Sequence, residues 1–265
     1  MSDGEADHPA LGPAAAAALA AFLADRQAAA DADPHAPDYG LSQFWYTGGT
    51  ADAVARAVVA AVGPAGRVAC VSCPSLFKSL LRLERGGGEA TEGGGSGGGG
   101  DGGDGAADPL PPASTSDPPG PSPPPSRHAL LEFDARFAGL GPFSLYDYRD
   151  PLTFAPAFAG AFDAVVADPP YLSSECLERT GLTVAALEKK DRGGGLKPVR
   201  VLLSGAAVRG AAWRALGLKP VTFRPEHSCK LGNEFLCYTD CESVAASLGG
   251  WDGELGPEEE GREGV

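Results

Sequence analysis

Short apolar runs that alternate with helical segments constrain the fold of this 265-residue chain most. Residues 67–72 (RVACVS) and 161–167 (AFDAVVA) are nearly continuous apolar runs, without the alternation of a half-exposed strand. Strands of that kind are typical of parallel sheets that are covered by helices on both faces. Five further strands are predicted over residues 128–133, 143–146, 198–203, 221–223 and 234–239. The pattern therefore predicts an α/β fold with a doubly wound, mostly parallel sheet.

Helical segments separate most of these runs, and their apolar residues recur at the three- and four-residue spacing of one helix face. The predicted helices cover residues 11–30, 47 or 50 to 62, 74–83, 173–187 and 206–216. We predict no helix between the last two strands, so these strands should form an antiparallel hairpin at one edge of the sheet. Ligands of doubly wound sheets bind at the carboxyl ends of the strands, near the point where the strand order reverses. We therefore expect functional residues directly after each strand.

A glycine- and proline-rich stretch interrupts the pattern. Residues 86–105 contain 13 glycines and residues 109–125 contain 9 prolines, with almost no large apolar side chain. Such a segment cannot bury enough apolar surface to offset the entropy of ordering it. The prediction for the whole chain is an alanine-rich helix and acidic linker over 1–40, an α/β domain over 41–251 with a disordered insertion at 85–127, and an acidic disordered tail over 252–265.

The net charge of −14 at pH 7 comes from the linker, the insertion and the tail. The remaining core, residues 41–84 and 128–251, has 16 acidic and 17 basic residues, so its charge neither requires nor excludes a nucleic-acid partner. No stretch approaches the ~20 apolar residues of a transmembrane helix, and we expect no membrane association. The six cysteines lack the spacing of a disulfide framework. They suit a reducing compartment, and we expect a cytoplasmic monomer.

The tetrapeptide Asp168-Pro169-Pro170-Tyr171 directly follows the predicted strand 161–167. Two prolines at this point make a rigid turn whose carbonyl groups are not all used by neighbouring N–H groups. A carboxylate, a turn carbonyl and an aromatic face can together hold an amino group. We interpret the tetrapeptide as a cradle for an amine. The simpler alternative is a proline turn with an incidental tyrosine.

Acidic residues also end two neighbouring predicted strands. Without the insertion, Glu132 lies 16 positions after Cys73, close to the ~20 that separate a phosphate loop from a ribose-binding carboxylate. Glu132 is thus placed to accept hydrogen bonds from a ribose diol, although an exposed acid without function would show the same spacing. Asp147 ends the strand 143–146 and is placed to accept a bond from an adenine amino group. A simple turn residue is the alternative for Asp147.

The segment 162–173, which contains the tetrapeptide, resembles a segment of class I, S-adenosylmethionine-dependent amino methyltransferases. Other segments make the resemblance more specific: they cover residues 41–46, 67–72, 133–137, 146–148 and 233–238. Together they resemble the elongation factor 1-alpha lysine methyltransferase family, whose members were first labelled N6-adenine DNA methyltransferases because of this tetrapeptide. The resemblance covers nearly all of the chain except the insertion and the acidic tail.

The resemblance implies a seven-stranded Rossmann-like sheet, S-adenosylmethionine as the methyl donor and a lysine of elongation factor 1-alpha as the acceptor. It implies that the acceptor amine meets residues 168–171, that the ribose meets Glu132 and that the adenine lies near Asp147. The candidate donor-binding residues nearer the N-terminus are Gln43, Phe44, Tyr46, Thr47 and Ser72. One departure is that Ser72-Cys73-Pro74-Ser75, and no glycine-rich loop, follows the first strand.

Two other functions are also compatible with the sequence. A nucleic-acid adenine-N6 methyltransferase would also use the tetrapeptide, but it needs a basic track for phosphates, which the balanced core does not suggest. A non-catalytic binding module would keep the fold without binding the donor. We predict no metal site, because Cys70 lies within a predicted strand and cannot easily join Cys73 as a ligand. For His227, a solvated loop residue is favoured over a catalytic one.

Overall fold

The computed structural model describes residues 12–32, 35–41, 43–86, 126–229 and 231–253. Within these ranges, seven strands form a single sheet. The strands are β1 (Val68–Val71), β2 (Ala129–Glu132), β3 (Phe143–Leu145), β4 (Ala164–Ala167), β5 (Val199–Gly205), β6 (Lys219–Pro220) and β7 (Phe235–Thr239). The α-helices are α1 (Pro13–Ala32), α2 (Gly48–Val62), α3 (Pro74–Glu84), α4 (Ser174–Leu187), α5 (Arg209–Leu216) and α6 (Glu242–Ser247).

The strand order is β3-β2-β1-β4-β5-β7-β6. The first five of these strands are parallel, whereas β7 lies antiparallel between β5 and β6. The chain leaves β1 toward one edge of the sheet and returns at β4 toward the other, so the strand order reverses between β1 and β4. The predicted doubly wound, Rossmann-like sheet with a C-terminal antiparallel hairpin is confirmed.

Each face of the sheet has its own hydrophobic core. Val68 and Cys70 of β1 belong to the core that contains the buried faces of α2, α3 and α6. Ala69 and Val71 of the same strand belong to the opposite core, which contains residues of α4 and α5. All four side chains are buried. Burial on both faces explains why β1 is a continuous apolar run in the sequence.

Local signals set the helix ends. The Thr47 hydroxyl accepts a hydrogen bond from the backbone N–H of Thr50 at 3.3 Å, which makes Thr47 the N-cap of α2. Gly217 ends α5 in the left-handed conformation, with φ at 68°. The observed helices agree with the predicted ones to within about three residues, except for α6, which the sequence pattern did not predict because it is only six residues long.

The last hairpin differs from the prediction in its first strand. The predicted strand 221–223 is displaced toward the N-terminus, and β6 consists of Lys219 and Pro220. Val221 instead forms an isolated bridge with Trp251. A turn at Gly249 and Gly250, both with positive φ, brings the C-terminal segment back along this edge. The pairing partner of Val221 is therefore distant in sequence, which a local pattern cannot indicate.

The predicted insertion and tail fall largely on residues 87–125 and 254–265, which lie outside the described residues. The two ends of the insertion are described, and Glu84 joins them. Its carboxylate accepts hydrogen bonds from the Ser126 hydroxyl and the Arg127 backbone N–H. The next strand starts at Ala129, which pairs with Ala69 near the amino end of β1. The insertion therefore leaves and rejoins the domain at the edge of the sheet opposite the carboxyl ends of the strands.

Among the helices of the described ranges, none combines the length and the apolar character needed to cross a bilayer.

Candidate active site

A cavity of about 580 Å³ opens at the carboxyl ends of the parallel strands, where the strand order reverses. This is the position at which doubly wound sheets bind ligands, and the volume is in the range of small-molecule sites. Of the predicted site residues, those that line the cavity are Gln43, Phe44, Ser72, Glu132, Asp147, Asp168, Pro169, Pro170 and Tyr171. The structure thus brings together side chains that are dispersed over more than 120 positions of the chain.

Asp168 follows the last residue of β4, and its backbone N–H donates to the carbonyl oxygen of Val71 at 2.9 Å. The hydroxyl of Tyr46 donates to Oδ1 of Asp168 at 3.1 Å. Tyr46 is buried and does not itself line the cavity, so it supports the carboxylate from behind. Burial raises the pKa of Asp168 well above its usual range, and the hydrogen bond from Tyr46 opposes that rise.

The two prolines after Asp168 turn the chain across the cavity wall, and the turn ends at Tyr171, whose side chain is 51% exposed. The ring of Tyr148 meets the Tyr171 ring edge-on, with 5.6 Å between the centroids. Both rings line the cavity. The tetrapeptide therefore presents a supported carboxylate inside and an accessible aromatic ring at the rim, which is the arrangement that holding an amine requires.

Glu132, the last residue of β2, is buried with 6% of its surface exposed. Its Oε1 accepts a hydrogen bond from the backbone N–H of Asp134 at 3.2 Å. Among the described residues it makes no hydrogen bond with another side chain, and its pKa is raised to about 7, mainly by burial. A buried carboxylate with acceptor capacity left over is suited to a ligand that brings its own hydroxyl donors.

The turn after β1 has an unusual backbone. Ser72 has φ at 56°, and among the described residues it alone has a positive φ without being glycine. Left-handed backbone costs a non-glycine residue roughly 1–2 kcal/mol, and such conformations concentrate at ligand sites. Ser72 lines the cavity, and its N–H donates to the carbonyl oxygen of Leu131 at 2.8 Å. Ser72 thus adopts the conformation that glycine supplies in related turns, although the sequence has no glycine there.

Residues 43–47, which we call the N-terminal strap, cross the cavity ahead of α2. Gln43 anchors one end: its Nε2 donates to Oδ2 of Asp134 at 3.0 Å, and its Oε1 accepts from Nη2 of Arg136 at 3.2 Å. Asp134 and Arg136 also form an ion pair, at 2.6 Å. The side-chain amide of Gln43 is therefore engaged by the loop after β2. Within this structure its contribution is to hold the strap over the cavity.

The other end of the strap pairs with the loop between β6 and β7. Tyr46 and His227 form an antiparallel bridge. The backbone N–H of Thr47 donates to Glu226 at 2.8 Å, and that of Ser228 donates to Trp45 at 2.8 Å. Thr47 does not line the cavity, because its hydroxyl caps α2. The strap thus spans the site from the end of β2 to the loop before β7.

Asp147 lies at the cavity rim and forms an ion pair with Arg149, with 2.6 Å between Oδ2 and Nη2. The hydrogen bonds from Arg149 lower the pKa of Asp147, so this carboxylate is ionised at neutral pH. Phe133, which follows Glu132, also lines the cavity and is 50% exposed. An exposed aromatic face beside a buried carboxylate is suited to a purine next to a ribose.

Several residues line the cavity without being site residues predicted from the sequence, and Phe133, His227 and Leu172 are three of them. Phe133 had a signal, because it directly follows Glu132 at a strand end. His227, for which the sequence favours a solvated loop residue, lies in the loop before β7 and is half-buried, with its ring between two aromatic rings. Leu172 lines the cavity because Gly205 leaves room for it, and a Cβ atom on Gly205 would lie 2.9 Å from Cδ1 of Leu172. That last relationship joins distant strand ends and has no local signal.

No group of three or more His, Cys, Asp or Glu side chains among the described residues could hold a metal ion. The six cysteines are free thiols. Cys73 is buried, and its Sγ donates to the carbonyl oxygen of Val166 at 3.4 Å.

The residues at the strand ends fit a nucleoside-bearing methyl donor: a buried carboxylate with free acceptor capacity, a left-handed backbone turn beside it and an exposed aromatic face. This sheet and this site define a Rossmann-like class I methyltransferase. The model of the family described as probable N6-adenine methyltransferase matches residues 37–243. The chain belongs to this family, which also contains relatives named as lysine methyltransferases, and the family implies a methyl donor of the S-adenosylmethionine type.

Three curated relatives illustrate the range of similarity. The chain is 35% identical to EEF1A lysine methyltransferase 1 of Homo sapiens over 257 residues, which is 92% of this chain and 97% of the relative. It is 35% identical to the protein of the same name from Gallus gallus over 209 residues, or 78% of this chain and 76% of the relative. It is 28% identical to protein-lysine N-methyltransferase EFM5 of Saccharomyces cerevisiae, over 77% of this chain and 72% of the relative.

Proposed function

We propose that this protein is an S-adenosylmethionine-dependent protein-lysine N-methyltransferase that acts on translation elongation factor 1-alpha in the cytoplasm. The observation that carries the proposal is the presence of Glu132 and Asp168 in one cavity, at the ends of strands that flank β1. One carboxylate is suited to a donor's ribose and the other to an acceptor's amine. The names of the relatives from Homo sapiens and Gallus gallus support a lysine of that translation factor as the acceptor.

For donor binding, we assign the ribose hydroxyls to Glu132, the adenine face to Phe133 and its amino group to Asp147. We assign the methionine part to the turn at Ser72 and to the strap, where Phe44 faces the cavity. Gln43, Tyr46 and Thr47 support this binding indirectly, because their side chains hold the strap, Asp168 and α2 in position.

The bound donor supplies an electrophilic methyl group on a sulfonium sulfur. The residues of this chain must then position a lysine nitrogen in line with that methyl group. Asp168 accepts a hydrogen bond from one N–H of the amine, and a carbonyl oxygen of the proline turn accepts another. Tyr171 covers the amine at the rim, and the rate gain comes largely from this orientation. Because a neutral amine is the nucleophile, a proton must leave the lysine before transfer, at a cost of about 4.6 kcal/mol at pH 7 for a pKa of ~10.4.

The charge of the cavity favours a cationic side chain over a nucleic acid. Three acids line it: Glu132, Asp147 and Asp168. Among the described residues that line the cavity, Arg149 is the one lysine or arginine, and it is paired with Asp147. Binding of a phosphate backbone needs unpaired basic side chains along a track. The cavity therefore offers carboxyl acceptors to an ammonium group, and its lining offers no unpaired lysine or arginine to a phosphodiester.

The decisive experiment offers labelled S-adenosylmethionine with purified elongation factor 1-alpha, DNA and RNA in separate reactions. We expect label in the protein alone and its loss with Asp168→Ala. Asp150→Asn is the matched control, because Asp150 is an exposed acid on the same side of the sheet that does not line the cavity. Label in DNA or RNA would replace the proposal with an adenine methyltransferase. Absence of label in every reaction, with the donor bound, would reject both activities.

A further inference from the structure

His227 lies on the loop between β6 and β7 and lines the same cavity as Asp168. Its imidazole packs between two aromatic rings, with centroid distances of 4.3 Å to Tyr46 and 4.5 Å to Phe235. Among the described residues, neither ring nitrogen has a hydrogen-bond partner. The ring is thus held in a defined place, and its nitrogens are not used by other described residues.

The backbone around His227 is as firmly held as its ring. The bridge to Tyr46, the bond from Thr47 N–H to Glu226 and the bond from Ser228 N–H to Trp45 pin the loop to the strap. The same Tyr46 that packs against His227 donates its hydroxyl to Asp168. One tyrosine therefore fixes the positions of both a carboxylate and an imidazole at the amine end of the cavity.

These two groups are suited to different tasks. Asp168 stabilises an ammonium group by its charge, and so it raises the pKa of the lysine that it holds. A neutral imidazole has no such effect, and it can accept a proton and pass it to solvent. Burial lowers the pKa of His227 below its usual value, so the ring is neutral at physiological pH. Its position on a half-buried loop gives it access to both the cavity and the solvent.

We propose that His227 accepts the proton that the substrate lysine must lose before methyl transfer. The inference rests on the function proposed above. In the step, an N–H bond of the lysine ammonium breaks, its electron pair remains on the nitrogen, and the proton bonds to a ring nitrogen of His227 directly or through one water molecule. The freed electron pair then forms the bond to the methyl carbon. The C–S bond breaks, the sulfur keeps its electrons, and His227 later releases the proton to solvent.

Other titratable groups surround His227 and must be separated from it in a pH experiment. Those on neighbouring segments are Tyr46 of the strap, Glu226 of the loop that carries His227, Glu234 just before β7 and Cys237 within β7. Those across the cavity are Glu132, Asp147, Tyr148, Asp168 and Tyr171. Tyr46 and Cys237 have pKa values raised by burial and stay neutral near pH 7. Glu132 has a pKa of about 7, so its titration would affect the same pH range. We therefore measure kcat at saturating donor concentration, because the assigned contact with the ribose keeps Glu132 ionised.

The test compares kcat between pH 6.5 and 9 for the wild type, His227→Phe and His227→Gln, with purified elongation factor 1-alpha as substrate. The phenylalanine variant keeps an aromatic ring between Tyr46 and Phe235, so it guards against a loss of packing. We expect roughly 10²–10⁴-fold lower kcat at pH 7 for both variants. We also expect kcat of the variants to rise about tenfold per pH unit. Without His227 the substrate lysine, with a pKa of ~10.4, loses its proton to solvent, and its neutral fraction rises tenfold per unit. The wild type should show a plateau above about pH 7.

Two comparisons and one spectroscopic measurement complete the test. Glu226→Gln removes the neighbouring carboxyl group and should keep the wild-type plateau of kcat. The donor affinity and the melting temperature of His227→Phe, His227→Gln and Glu226→Gln should equal those of the wild type. An imidazole resonance that is lost in His227→Phe should titrate below pH 6.5 in the wild type by NMR. The proposal is overturned if the His227 variants show a uniformly lowered kcat with the wild-type pH profile. It is also overturned if Asp168→Asn, and not the His227 variants, acquires the rising profile. A wild type that does not methylate the translation factor would instead reject the proposed function.

Discussion

The hydroxyl of Tyr46 donates a hydrogen bond to Oδ1 of Asp168 across 122 positions of the chain, at 3.1 Å. Tyr46 belongs to the N-terminal strap, and Asp168 follows the central strand β4. The bond therefore ties the strap, which lies outside the sheet, to the carboxylate that we assign to the substrate amine. One contact thus connects the segment that crosses the cavity with the acid that we assign to the amine.

Tyr46→Phe should separate the effect of the Tyr46 hydroxyl on Asp168 from the packing of the Tyr46 ring. The ring remains, but a desolvated carboxyl loses its hydroxyl donor, which costs about 1–3 kcal/mol of folding free energy. We also expect roughly tenfold lower kcat, the equivalent of ~1.4 kcal/mol, because Asp168 is no longer held in one orientation. Urea denaturation and steady-state kinetics measure the two effects.

Tyr238→Phe is the control for that variant. Tyr238 is also buried, and its hydroxyl donates to the carbonyl oxygen of Gly205 at 2.9 Å, away from Asp168. A similar loss of stability with nearly unchanged kcat is expected. Equal losses of kcat in both variants would show that the Tyr46 hydroxyl has no special role toward Asp168.

Glu132 should make donor binding depend on pH. Its pKa of about 7 in the free protein results mainly from burial, and the ionised form is the better acceptor for a ribose diol. Affinity should therefore fall by up to tenfold per unit as the pH decreases below about 7. Calorimetric titration with S-adenosylhomocysteine from pH 5.5 to 8.5 measures this. Glu132→Gln should bind more weakly, and without the pH dependence.

The same carboxyl group affects the stability of the ligand-free protein. Because the folded pKa is above the unfolded one, ionised Glu132 destabilises the fold above pH 7, and this penalty disappears as the pH falls toward the unfolded value. Glu132→Gln should accordingly raise the melting temperature at pH 8 and change it little near pH 4.5. A stabilising effect that is independent of pH would contradict the assignment of the raised pKa to this residue.

Gly205→Ala tests whether the cavity depends on the position of Leu172. The φ of −64° at Gly205 is ordinary for alanine, so the backbone tolerates the change. The new Cβ atom would nevertheless lie 2.9 Å from Cδ1 of Leu172 and displace that side chain toward the cavity. We expect a several-fold increase in the KM for the protein substrate, with a stability loss of about 1 kcal/mol.

Leu172→Ala in the same chain should restore the KM of Gly205→Ala, because it removes the colliding atoms. Gly139→Ala serves as the control, since no atom lies within 4 Å of a Cβ placed there. Failure of the second substitution to rescue the first would mean that Gly205 acts through the backbone and not through Leu172.

The stability of Ser72 variants should depend on how well the new residue tolerates a positive φ. Ser72→Gly relieves a left-handed φ of 56° and should leave stability and donor affinity nearly unchanged. Ser72→Val places a β-branched side chain in that conformation, where such residues are far rarer than serine, and should lower stability further. Ser75→Val, in the first turn of α3, is the control for the side chain alone. Equal stability of the glycine and valine variants at position 72 would contradict this account.

Replacement of residues 87–125 by a short glycine-serine linker should leave methyl transfer and the melting temperature almost unchanged. Glu84 already holds Ser126 and Arg127, so both ends stay in place. These ends lie at the edge of the sheet opposite the cavity. A substantial loss of kcat on this deletion would show that the segment reaches the substrate.

The sheet could be predicted from the sequence because burial on both faces produces continuous apolar strands. β1 and β4 are clear cases, and their carboxyl ends locate Asp168 without knowledge of the tertiary structure. Glu132 and Asp147 follow by the same reasoning, since any residue directly after a parallel strand lies at that edge. These parts of the candidate site depend on local patterns alone.

Other parts of the site could not be predicted because they depend on contacts between distant segments. The pairing of the strap with residues 226–228 has no local signature, so the sequence alone does not show that His227 packs between two aromatic rings. The left-handed Ser72 resembles an ordinary turn residue in the sequence. Gln43, predicted as a donor-binding residue, has an amide that is engaged by Asp134 and Arg136, and only the tertiary structure identifies those partners.

The pairing of the strap with the loop before β7 has a consequence for synthesis of the protein. The hydroxyl of Ser228 donates to the carbonyl oxygen of Trp45 across 183 positions. On the ribosome, the strap emerges early, whereas this partner loop is made late, since chains grow from the N-terminus at about 5–20 residues per second. The nascent chain can therefore form much of its sheet before the cavity closes. We therefore expect the strap to dock on this loop late in folding.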